Sequence, residues 1–503
     1  MVEFPSRFSR NELGIAALAG LAGVAGSYAA TGYTRDFVVA PIDALVVRAT
    51  PGQAVAWTIQ NVGEEAHVLH IALSFAIAAT VLGGAALAGI VAADRFDRPV
   101  AGSGLGGLLG WGVTTALTTR PTLAVAAGVP VALFATLATV PVGTSTPDPS
   151  RRRVLTAITG TLGSIGIAYW LGGVATREES ATGGASGNAA GGAPGDVPEG
   201  VTRRLQAAEE KSLDIAGDVP GLVSSFEEFY NVDIAEFDPE LSAEDWSMTI
   251  TGQVDEDVEV TFEELTDMPT EHRFVTLRCV GEDLNGEKLD NAVWTGTPVE
   301  ALIEDADPGG ECGCAMVRAE DGYYVQFPVA ALEDAFLAWG MNGQSLPKAH
   351  GHPVRVLVPG HWGETNVKWP EEIELLDEEM DGYWEKRGWH GTGPVNTVAK
   401  LWSETRLDDG NTELAGHAYA GTRGIERVEV STDGGETWHD ADLSEPLDGE
   451  DVWRQWRHEF EPDGSHEVVV RATDGEGRLQ QEERTDSFPR GAAGWVSKTV
   501  SVR

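Results

Sequence analysis

Long apolar runs fill the first 175 residues of the chain and stop abruptly after that point. Five runs are nearly free of charge: 13–30, 68–93, 102–119, 121–142 and 154–174. A helix of about 20 apolar residues crosses a bilayer core about 30 Å thick, so four runs are long enough and the glycine-rich third is marginal. Five such runs in succession predict a helical membrane domain of about five spans over residues 1–176, rather than helices of a globular core.

Arginines flank the apolar runs at three places: Arg7 and Arg10, Arg95 and Arg98, and Arg151, Arg152 and Arg153. Because basic residues stay on the cytoplasmic side of a membrane, this pattern predicts a cytoplasmic N-terminus. Five spans then put everything after residue 175 on the outer face of a multi-pass protein of the cell membrane. Arg35 and Arg48, in the first outer loop, run against the rule.

The triple arginine before the fifth run has two interpretations. Ser150-Arg151-Arg152-Arg153-Val154-Leu155 resembles a twin-arginine export signal, here internal, and that route exports folded proteins. An ordinary positive-inside anchor is the alternative.

The pattern changes after the apolar runs. Residues 177–205 are rich in Gly, Ala, Ser and Pro and predict a flexible linker. Residues 206–403 mix short strands, helical segments and turns, which predicts an α+β domain. Residues 404–503 contain only short alternating strands with turn chemistry at Asp433-Gly434-Gly435, which predicts an all-β sandwich.

The charge of the chain is strongly acidic. Its 78 acidic and 35 basic residues give a net charge of -43, and no lysine precedes Lys211. Such a surface is typical of a halophilic protein kept hydrated in high salt, where screening weakens self-repulsion. The alternative is an acidic surface that recruits a basic partner. The charge argues against nucleic-acid binding, because the chain offers no basic face to neutralise phosphates.

Three cysteines do not make a disulfide framework. Cys312 and Cys314 lie one residue apart in a loop, offer too few ligands for zinc, and such a pair rarely closes a good disulfide, so we give them no chemical role. No Cys-x-x-Cys-His motif encodes a covalent haem. His67 and His70 lie near one end of a single span, whereas a haem across a bilayer usually needs histidines on different helices. We predict neither haem nor an iron–sulfur cluster.

Cys279 is the cysteine with a chemical context. It stands in Thr276-Leu277-Arg278-Cys279-Val280-Gly281, and Asn291-Ala292-Val293-Trp294-Thr295-Gly296-Thr297-Pro298 follows. A soft thiolate suits a soft, redox-active metal. These two segments resemble the molybdenum-binding segment of the sulfite-oxidase family, in which one cysteine thiolate ligates molybdenum held by a pterin dithiolene. The resemblance covers roughly residues 222–503 and implies a molybdopterin-binding α+β domain.

Further segments of this resemblance occur in the order found in the family. In Asp321-Gly322-Tyr323-Tyr324-Val325-Gln326-Phe327-Pro328, the resemblance places Asp321 near the pterin and makes Tyr323 the active-site tyrosine. A phenol beside a metal-oxo group can donate a hydrogen bond or relay a proton. The alternative for Tyr323 is a half-buried strand residue.

The longest shared segment is Trp339 to Gly360, which contains Ala349-His350-Gly351-His352-Pro353-Val354-Arg355. In the family, the matching histidine and arginine bind the pterin and its phosphate, and a guanidinium suits phosphate oxygens. The resemblance implies these cofactor contacts: Phe229, Tyr230, Asn231, Asp321, His350, Arg355, Asn366, Val367 and Lys368.

The C-terminal strands, including Asp433-Gly434-Gly435-Glu436-Thr437-Trp438, are similar to the immunoglobulin-like dimerisation domain of the family. The resemblance therefore implies an immunoglobulin-like fold for residues 404–503 and a possible symmetric homodimer. We assign this domain no chemistry.

Two departures from the family remove positive charge from the substrate pocket. The Arg-Asn-His run of sulfite oxidases has no arginine counterpart near Asn231, and their Asn-Arg-Arg run is replaced here around Gly281-Glu282-Asp283. Burying a dianion such as sulfite without cationic partners is costly. The substrate is therefore left open.

We predict a membrane-anchored molybdenum-cofactor oxidoreductase that performs two-electron oxygen-atom transfer on a small or protein-bound substrate. Cys279 ligates the metal, and Tyr323 contacts the transferred oxygen. Electrons pass to or from a separate carrier, which is a cytochrome, a copper protein or a quinone. Two alternatives remain: a metal-free membrane-tethered binding module on the same fold, and a reductase of sulfoxides such as methionine sulfoxide.

Overall fold

The computed structural model describes residues 9–51, 66–139, 197–234, 236–306 and 312–501, with isolated positions at 54, 55, 57, 58, 62, 161, 166 and 169. These residues form two compact units. The first runs to residue 186 and includes 233–240, and the second comprises 187–232 and 241–503. The fifth apolar run, 154–174, lies outside the described residues apart from three isolated positions.

Helices account for most of the described part of the first unit: α1 (Arg10–Thr31), α2 (Val39–Ala49), α3 (Ala66–Phe96), α4 (Pro99–Thr118) and α5 (Pro121–Thr139). All but α2 are long and apolar enough to cross a membrane. These four helices coincide with the first four predicted runs. The short α2 was not predicted, because eleven residues that include Pro41 and Asp43 do not make a long apolar run.

Small residues let these helices approach closely, as is common between helices in lipid. A Cβ added at Gly20 would overlap the carbonyl oxygen of Ala79 on α3, and one added at Gly26 would overlap that of Ala126 on α5. Gly14, on the same helix α1, has no heavy atom within 4 Å of such a Cβ. Gly20 and Gly26 of α1 therefore stand where a neighbouring helix approaches closely, whereas Gly14 does not.

Replacing Gly20 with alanine is expected to lower the apparent melting temperature of the full chain in detergent. The added methyl group forces α1 and α3 apart, an overpacking that costs about 1–3 kcal/mol. The matched control is Gly14→Ala, which adds the same helix propensity without a clash and should not lower the melting temperature. Equal melting temperatures for the two variants would contradict this packing.

Residues 233–240 pack within the first unit although they are distant from its helices in sequence. The Phe237 ring lies 4.7 Å from that of Tyr33 and 6.4 Å from that of Phe37, measured between centroids. The Tyr33 hydroxyl donates to Glu236 Oε1 at 3.2 Å. This segment therefore shares an aromatic cluster with the loop that joins α1 to α2.

The second unit begins with helix α6 (Glu199–Lys211). The linker predicted over 177–205 is therefore too long at its C-terminal end, since its last seven residues are helical. Pro198 precedes the helix, Glu199 lies in its first turn, and Val201 and Ala208 are buried. The sequence did not predict this helix, because charged residues outnumber its two buried apolar positions and no clear apolar periodicity results.

Two sheets form the middle of the second unit, which confirms the α+β prediction. The strands are β1 (Ser247–Gly252), β2 (Val258–Thr261), β3 (Glu271–Arg278), β4 (Leu289–Pro298), β5 (Cys314–Ala319), β6 (Tyr324–Pro328), β7 (Phe336–Met341), β8 (Gln344–Ser345), β9 (Arg355–Leu357) and β10 (Pro370–Leu376). One sheet has the order β2-β1-β10-β5-β6, with β1 and β10 parallel. The other has the order β3-β4-β7-β8, with β9 also paired to β7.

Three short helices complete this part: α7 (Phe262–Asp267), α8 (Glu300–Ala306) and α9 (Val329–Glu333). Single 3₁₀ turns occur at Lys348–His350, Gly363–Thr365 and Glu385–Arg387. The main core cluster includes Ile250, Val317, Phe327, Val356 and Ile373, all fully buried. Strands that share this core hold the loops between them in fixed positions.

Cys312 and Cys314 are joined in a disulfide, contrary to the sequence-based expectation. The two Cα atoms lie 5.2 Å apart across Gly313, whose φ of 61° is in the left-handed region. Glycine adopts this conformation without steric cost, and the resulting turn brings its two neighbours together.

The C-terminal part contains nine strands among the described residues: β11 (Val398–Ala399), β12 (Ser403–Arg406), β13 (Thr412–Tyr419), β14 (Ile425–Ser431), β15 (His439–Asp440), β16 (Asp442–Leu443), β17 (Arg454–Phe460), β18 (Ser465–Asp474) and β19 (Val496–Ser501). They form two antiparallel sheets, β11-β13-β17-β16 with β12 on β13, and β15-β14-β18-β19. This sheet-rich architecture confirms the all-β prediction. The immunoglobulin-like topology stays a prediction.

Candidate active site

Cys279 follows directly after β3, at the start of a loop that returns the chain to β4. The buried residues of β3 hold the first end of this loop in place. The Cys279 amide donates to the Lys288 carbonyl oxygen at 3.0 Å, which ties the first end of the loop to its last residues. The cysteine side chain is only partly buried. Desolvation nevertheless raises the pKa of its thiol to about 11. A hairpin loop thus presents one thiol at the end of the sheet.

Tyr230 connects Cys279 with a second group of predicted residues. Its hydroxyl lies against Gly363, where a Cβ would meet the Tyr230 oxygen and the carbonyl of Arg278. Burial raises the pKa of Tyr230 well above its usual value. The nearby Cys279 raises this pKa further, whereas Arg355 lowers it. The Tyr230 ring stacks on Phe229 at 5.9 Å between centroids. Tyr230 therefore borders both the thiol and the basic cluster.

His350, Arg355 and Lys368 lie together in that basic cluster. Arg355 and Lys368 form a β-bridge, and Arg355 Nη1 donates to the His350 carbonyl at 3.4 Å. Lys368 Nζ donates to Asn231 Oδ1 and, at 2.7 Å, to Ala349 O. Gly351 adopts a φ of 111° beside them, and a side chain there would crowd the Cβ atoms of Arg355 and Lys368.

The His350 ring has a charge state set by its surroundings. Burial, followed by the nearby cations Arg355 and Lys368, lowers the pKa of His350 to about 4. The imidazole is therefore neutral at pH 7. Its Nδ1 atom is buried and has no hydrogen-bond partner within the part of the chain that the structure describes. This atom is available to a ligand.

The other predicted cofactor contacts have mainly structural partners in the described residues. The Asn366 side chain accepts from Val358 N at 2.8 Å and donates to Trp362 O. Val367 belongs to the hydrophobic core, and its carbonyl oxygen accepts a hydrogen bond from the Val356 amide. Asp321 accepts the Tyr323 amide at 2.9 Å and so shapes the turn before β6. Their roles toward a cofactor stay predictions.

Tyr323 lies in contact with a residue that the sequence did not single out. Its hydroxyl donates to the carbonyl oxygen of Glu364 at 2.8 Å. Burial, then the carboxyls of Glu364 and Glu385, raises the pKa of Tyr323 well above its usual value. Burial and the nearby Glu385 also raise the pKa of Glu364 to about 8. Tyr323 is therefore a neutral phenol in acidic surroundings.

Glu364 and Trp389 border the cysteine loop. A Cβ at Gly391 would meet both Glu364 Oε1 and the Val280 side chain, next to Cys279. A Cβ at Gly281 would contact both the Cys279 sulfur and the Trp389 ring. No sequence signal marked Glu364, which stands just before the segment Asn366-Val367-Lys368.

A buried ionic network supports the cysteine loop from within. Glu282 Oε1 accepts from Arg278 Nε at 2.8 Å and from Lys400 Nζ at 2.7 Å, and all three side chains are fully buried. Glu282 Oε2 also accepts the Lys288 amide at 3.0 Å. Burial lowers the pKa of Lys400 to about 8, although Glu282 opposes this shift. The network therefore fixes both ends of the loop that carries Cys279.

Asp451 joins strand β3 to the C-terminal sheets. The Tyr419 hydroxyl donates to Asp451 Oδ1 at 2.6 Å and contacts the Thr276 carbonyl at 3.0 Å, and the Thr276 amide donates to Asp451 O at 3.1 Å. Burial raises the pKa of Asp451 to about 7. Thr276 is three residues from Cys279, so this contact also steadies the site.

Replacing Asp451 with asparagine is expected to flatten the pH dependence of stability. The pKa of Asp451 is higher in the folded chain than in the unfolded chain. Protonated Asp451 therefore contributes fully to the stability of the fold below about pH 4, and this contribution is lost as pH rises through about 7. The variant should gain stability relative to the wild type, by roughly 1–3 kcal/mol, between about pH 5 and pH 8. Melting temperatures of the full chain in high salt, with the exposed Asp408→Asn as control, test this shift. A constant difference across the range would contradict it.

The residues present fit a molybdenum–pterin cofactor. Cys279 would provide the thiolate ligand, His350 Nδ1 is an unpartnered buried atom, and Arg355 and Lys368 supply positive charge for a phosphate. Within the described ranges, no group of three or more His, Cys, Asp or Glu side chains is arranged to hold a metal ion. A single thiolate is what this cofactor requires of the chain.

Two domain families match this chain, one after the other. Residues 235–384 match the oxidoreductase molybdopterin binding domain, and residues 395–489 match the Mo-co oxidoreductase dimerisation domain. The first match contains Cys279, Tyr323, His350, Arg355 and Lys368.

Sequence relatives agree with these matches. The chain is 26% identical to mitochondrial sulfite oxidase of Rattus norvegicus over 284 residues, which cover 44% of this chain and 50% of the rat protein. It is 25% identical to sulfite oxidase of Arabidopsis thaliana over 301 residues, covering 47% of this chain and 77% of the plant protein. It is 29% identical over 150 residues to the uncharacterized oxidoreductase YuiH of Bacillus subtilis, covering 29% of this chain and 74% of that protein. The chain thus spans half the length of the rat relative.

Among solved structures, sulfane dehydrogenase SoxCD from Paracoccus pantotrophus aligns with 53% of this chain and 78% of its own, with 22% identity and a TM-score of 0.46. The two domain matches and the sulfite oxidase relatives agree with the family resemblance predicted from the sequence, whereas the roles of the individual site residues stay predictions. The chain therefore carries an oxidoreductase molybdopterin binding domain followed by a Mo-co oxidoreductase dimerisation domain, and in both it is similar to the sulfite oxidases.

Proposed function

We propose that the chain catalyses two-electron oxygen-atom transfer on the outer face of a cell membrane, as an anchored molybdoenzyme that works as a homodimer. The main observation in support of this chemistry is that Cys279 lies beside Tyr230. Tyr230 also borders the basic cluster of His350, Arg355 and Lys368. A bound molybdenum cofactor supplies the oxygen-atom transfer itself.

The residues of the chain would divide the work around this cofactor. Cys279 holds the metal, while Arg355 and Lys368 neutralise the cofactor phosphate and neutral His350 offers Nδ1 as a hydrogen-bonding atom. Tyr323, kept protonated by its buried acidic surroundings, would donate a hydrogen bond to the transferred oxygen in place of the one that it donates to the Glu364 carbonyl in this structure. Trp389 and Tyr230 lie beside the thiol and would border a bound substrate.

Membrane anchoring is supported by four described helices of sufficient length and apolar character. An outer catalytic face is supported by residues 233–240, which pack beside the loop after α1, together with the cytoplasmic N-terminus that Arg7, Arg10, Arg95 and Arg98 predict. With the N-terminus in the cytoplasm, that loop lies outside. Electrons would then pass to or from an external cytochrome, a copper protein or a quinone.

Metal analysis of the full chain tests the proposal. The protein should be purified in detergent and high salt from cells that make the cofactor. We expect about one molybdenum per chain and turnover of an oxygen-atom donor or acceptor with an artificial one-electron carrier. A folded protein without molybdenum or turnover would contradict the proposal. Cleavage of a tag at residue 503 by protease added to intact cells tests the outer location.

A further inference from the structure

A carboxyl group and an imidazole are paired inside the first unit, among residues that have no role in the proposed cofactor site. Asp43 Oδ1 lies 3.0 Å from His70 Nδ1 and accepts from the Ser74 hydroxyl at 2.9 Å. Asp43 belongs to α2, whereas His70 and Ser74 belong to α3. The side chain of Asp43 is 1% exposed and that of His70 is 29% exposed. The pair therefore consists of a buried acid and a partly exposed base.

The second carboxyl oxygen of Asp43 has an unmet requirement. Oδ2 is buried and has no hydrogen-bond partner within the part of the chain that the structure describes. A buried carboxylate is costly unless positive charge or further hydrogen bonds balance it. The His70 ring supplies positive charge when it is protonated. The Asp43 carboxylate is therefore better balanced when a ligand shares a proton with His70.

Asp43 also determines which ligand the His70 ring suits. Because a carboxylate only accepts hydrogen bonds, Nδ1 carries the proton, which makes Nε2 of the neutral ring an acceptor. The carboxylate stabilises the positive charge that develops on the ring when Nε2 draws a proton toward itself. A ligand with a weakly acidic hydroxyl group complements such a base.

The pair lies at one end of a candidate membrane span. This span runs from Val68 to Phe96, so His70 and Ser74 belong to its first two turns, within about 9 Å of its first residue along the helix axis. With the cytoplasmic N-terminus proposed above, this end faces the outer side of the membrane. A ligand at His70 therefore has its polar group near the edge of the hydrocarbon layer.

Apolar side chains border His70 on the helix surface. Leu69 and Leu73 are 57% and 52% exposed, and they form a row one turn long beside the row of His70 and Ser74. A ligand that approaches along this row is soluble in lipid. A phosphate head group would be repelled by the Asp43 carboxylate, and an ammonium group by the positive charge that His70 takes up. A neutral hydroxyl group on an apolar molecule meets neither repulsion.

We propose, given the electron exchange proposed above, that Asp43 and His70 bind the head group of a membrane hydroquinone. A ring hydroxyl donates to His70 Nε2, and the apolar tail lies along Leu69 and Leu73. Of the carriers considered above, the quinone is the one that dissolves in the hydrocarbon layer. The first unit then holds the electron carrier of the enzyme in addition to anchoring it.

Binding measurements on the full chain in lipid nanodiscs and high salt, without oxygen, test this site. Calorimetry compares decylubiquinol with its oxidised form, decylubiquinone. Because the two share ring size and tail, their partition into lipid cancels in the ratio of their Kd values. Asp43→Asn keeps the size of the side chain but lets the His70 ring take its other tautomer, in which Nε2 donates. The control is the exposed Asp94→Asn, on the same helix α3, which changes the net charge equally.

We expect the wild type to bind about one decylubiquinol per chain and to prefer it over decylubiquinone. Asp43→Asn should lower this preference by about tenfold, because Nε2 then suits the quinone carbonyl, and Asp94→Asn should leave it within about twofold. Absence of saturable binding to the wild type, or an unchanged preference in Asp43→Asn, would overturn the inference. A lower melting temperature with an unchanged preference means that the pair only ties α2 to α3, and this also overturns it.

A double variant decides the question if Asp43→Asn does not fold. Asp43→Leu combined with His70→Leu replaces the whole pair by apolar side chains, which proteins tolerate better than the loss of one partner. It should lose the preference for decylubiquinol, and a preference that persists would contradict the site. Neither binding nor its loss requires molybdenum. Hydroquinone binding by a chain without molybdenum or turnover therefore contradicts only the proposed function, whereas an active chain without hydroquinone binding contradicts only this inference.

Discussion

Replacing Cys279 with serine is expected to reduce turnover per chain by about 100-fold or more. The serine hydroxyl is a harder and far less acidic ligand than a thiol, so it cannot supply the soft anionic sulfur that the metal requires. Since Arg355, Lys368 and His350 are predicted to contact the pterin rather than the metal, the variant should still retain cofactor. Activity, molybdenum content and the visible absorption of the sulfur-to-metal bond are measured together.

The chain contains its own control for this substitution. Cys312→Ser combined with Cys314→Ser removes the other two sulfurs, which lie in a loop before β5. That double variant should retain wild-type turnover per molybdenum and the same absorption. Full activity in Cys279→Ser, or an equal loss in the double variant, would remove Cys279 from the role of metal ligand.

Replacing Glu282 with glutamine is expected to cause the largest loss of stability, about 3–5 kcal/mol. The carboxylate balances two fully buried cations, Arg278 and Lys400, and the neutral amide would leave both without a counter-charge. The amide also weakens the bond to the Lys288 amide that closes the cysteine loop. Activity should therefore fall together with the melting temperature recorded by tryptophan fluorescence.

The order of three variants makes this prediction specific. Lys400→Met keeps the pair of Arg278 and Glu282 balanced and fills the same space, so it should cost clearly less than Glu282→Gln. Combining Glu282→Gln with Lys400→Met leaves one unbalanced cation and should fall between the two. A greater loss in Lys400→Met than in Glu282→Gln would contradict a network centred on the carboxylate.

Sequence alone predicted the parts of the fold that depend on local pattern. Four apolar runs were predicted correctly as helices, because the length and apolar character of a run can be read from the sequence without knowing what the helix packs against. The all-β character of residues 404–503 was predicted because alternation and turn residues, as in β14 and β18, are local features of the sequence. The disulfide between Cys312 and Cys314 was missed because it depends on the left-handed turn at Gly313.

The candidate site divides in the same way. The cysteine segment and the stretch with His350 and Arg355 stood out by resemblance, because each is a short continuous motif. The salt bridge between Glu282 and Lys400 joins residues 118 positions apart, and no local pattern pairs them. Glu364 was missed for a similar reason: its importance comes from burial next to Val280 and Tyr323, which only the folded chain shows.

The parallel pairing of β1 with β10 determines when the enzyme can become active during its synthesis. Thr249 pairs with Glu372, so the first strand of the domain waits for more than a hundred further residues before its sheet is complete. His350, Arg355 and Lys368 also emerge late, just before β10. Cofactor loading therefore follows synthesis of nearly the whole domain. If loading occurs in the cytoplasm and the work outside, the loaded domain must cross the membrane as a folded body.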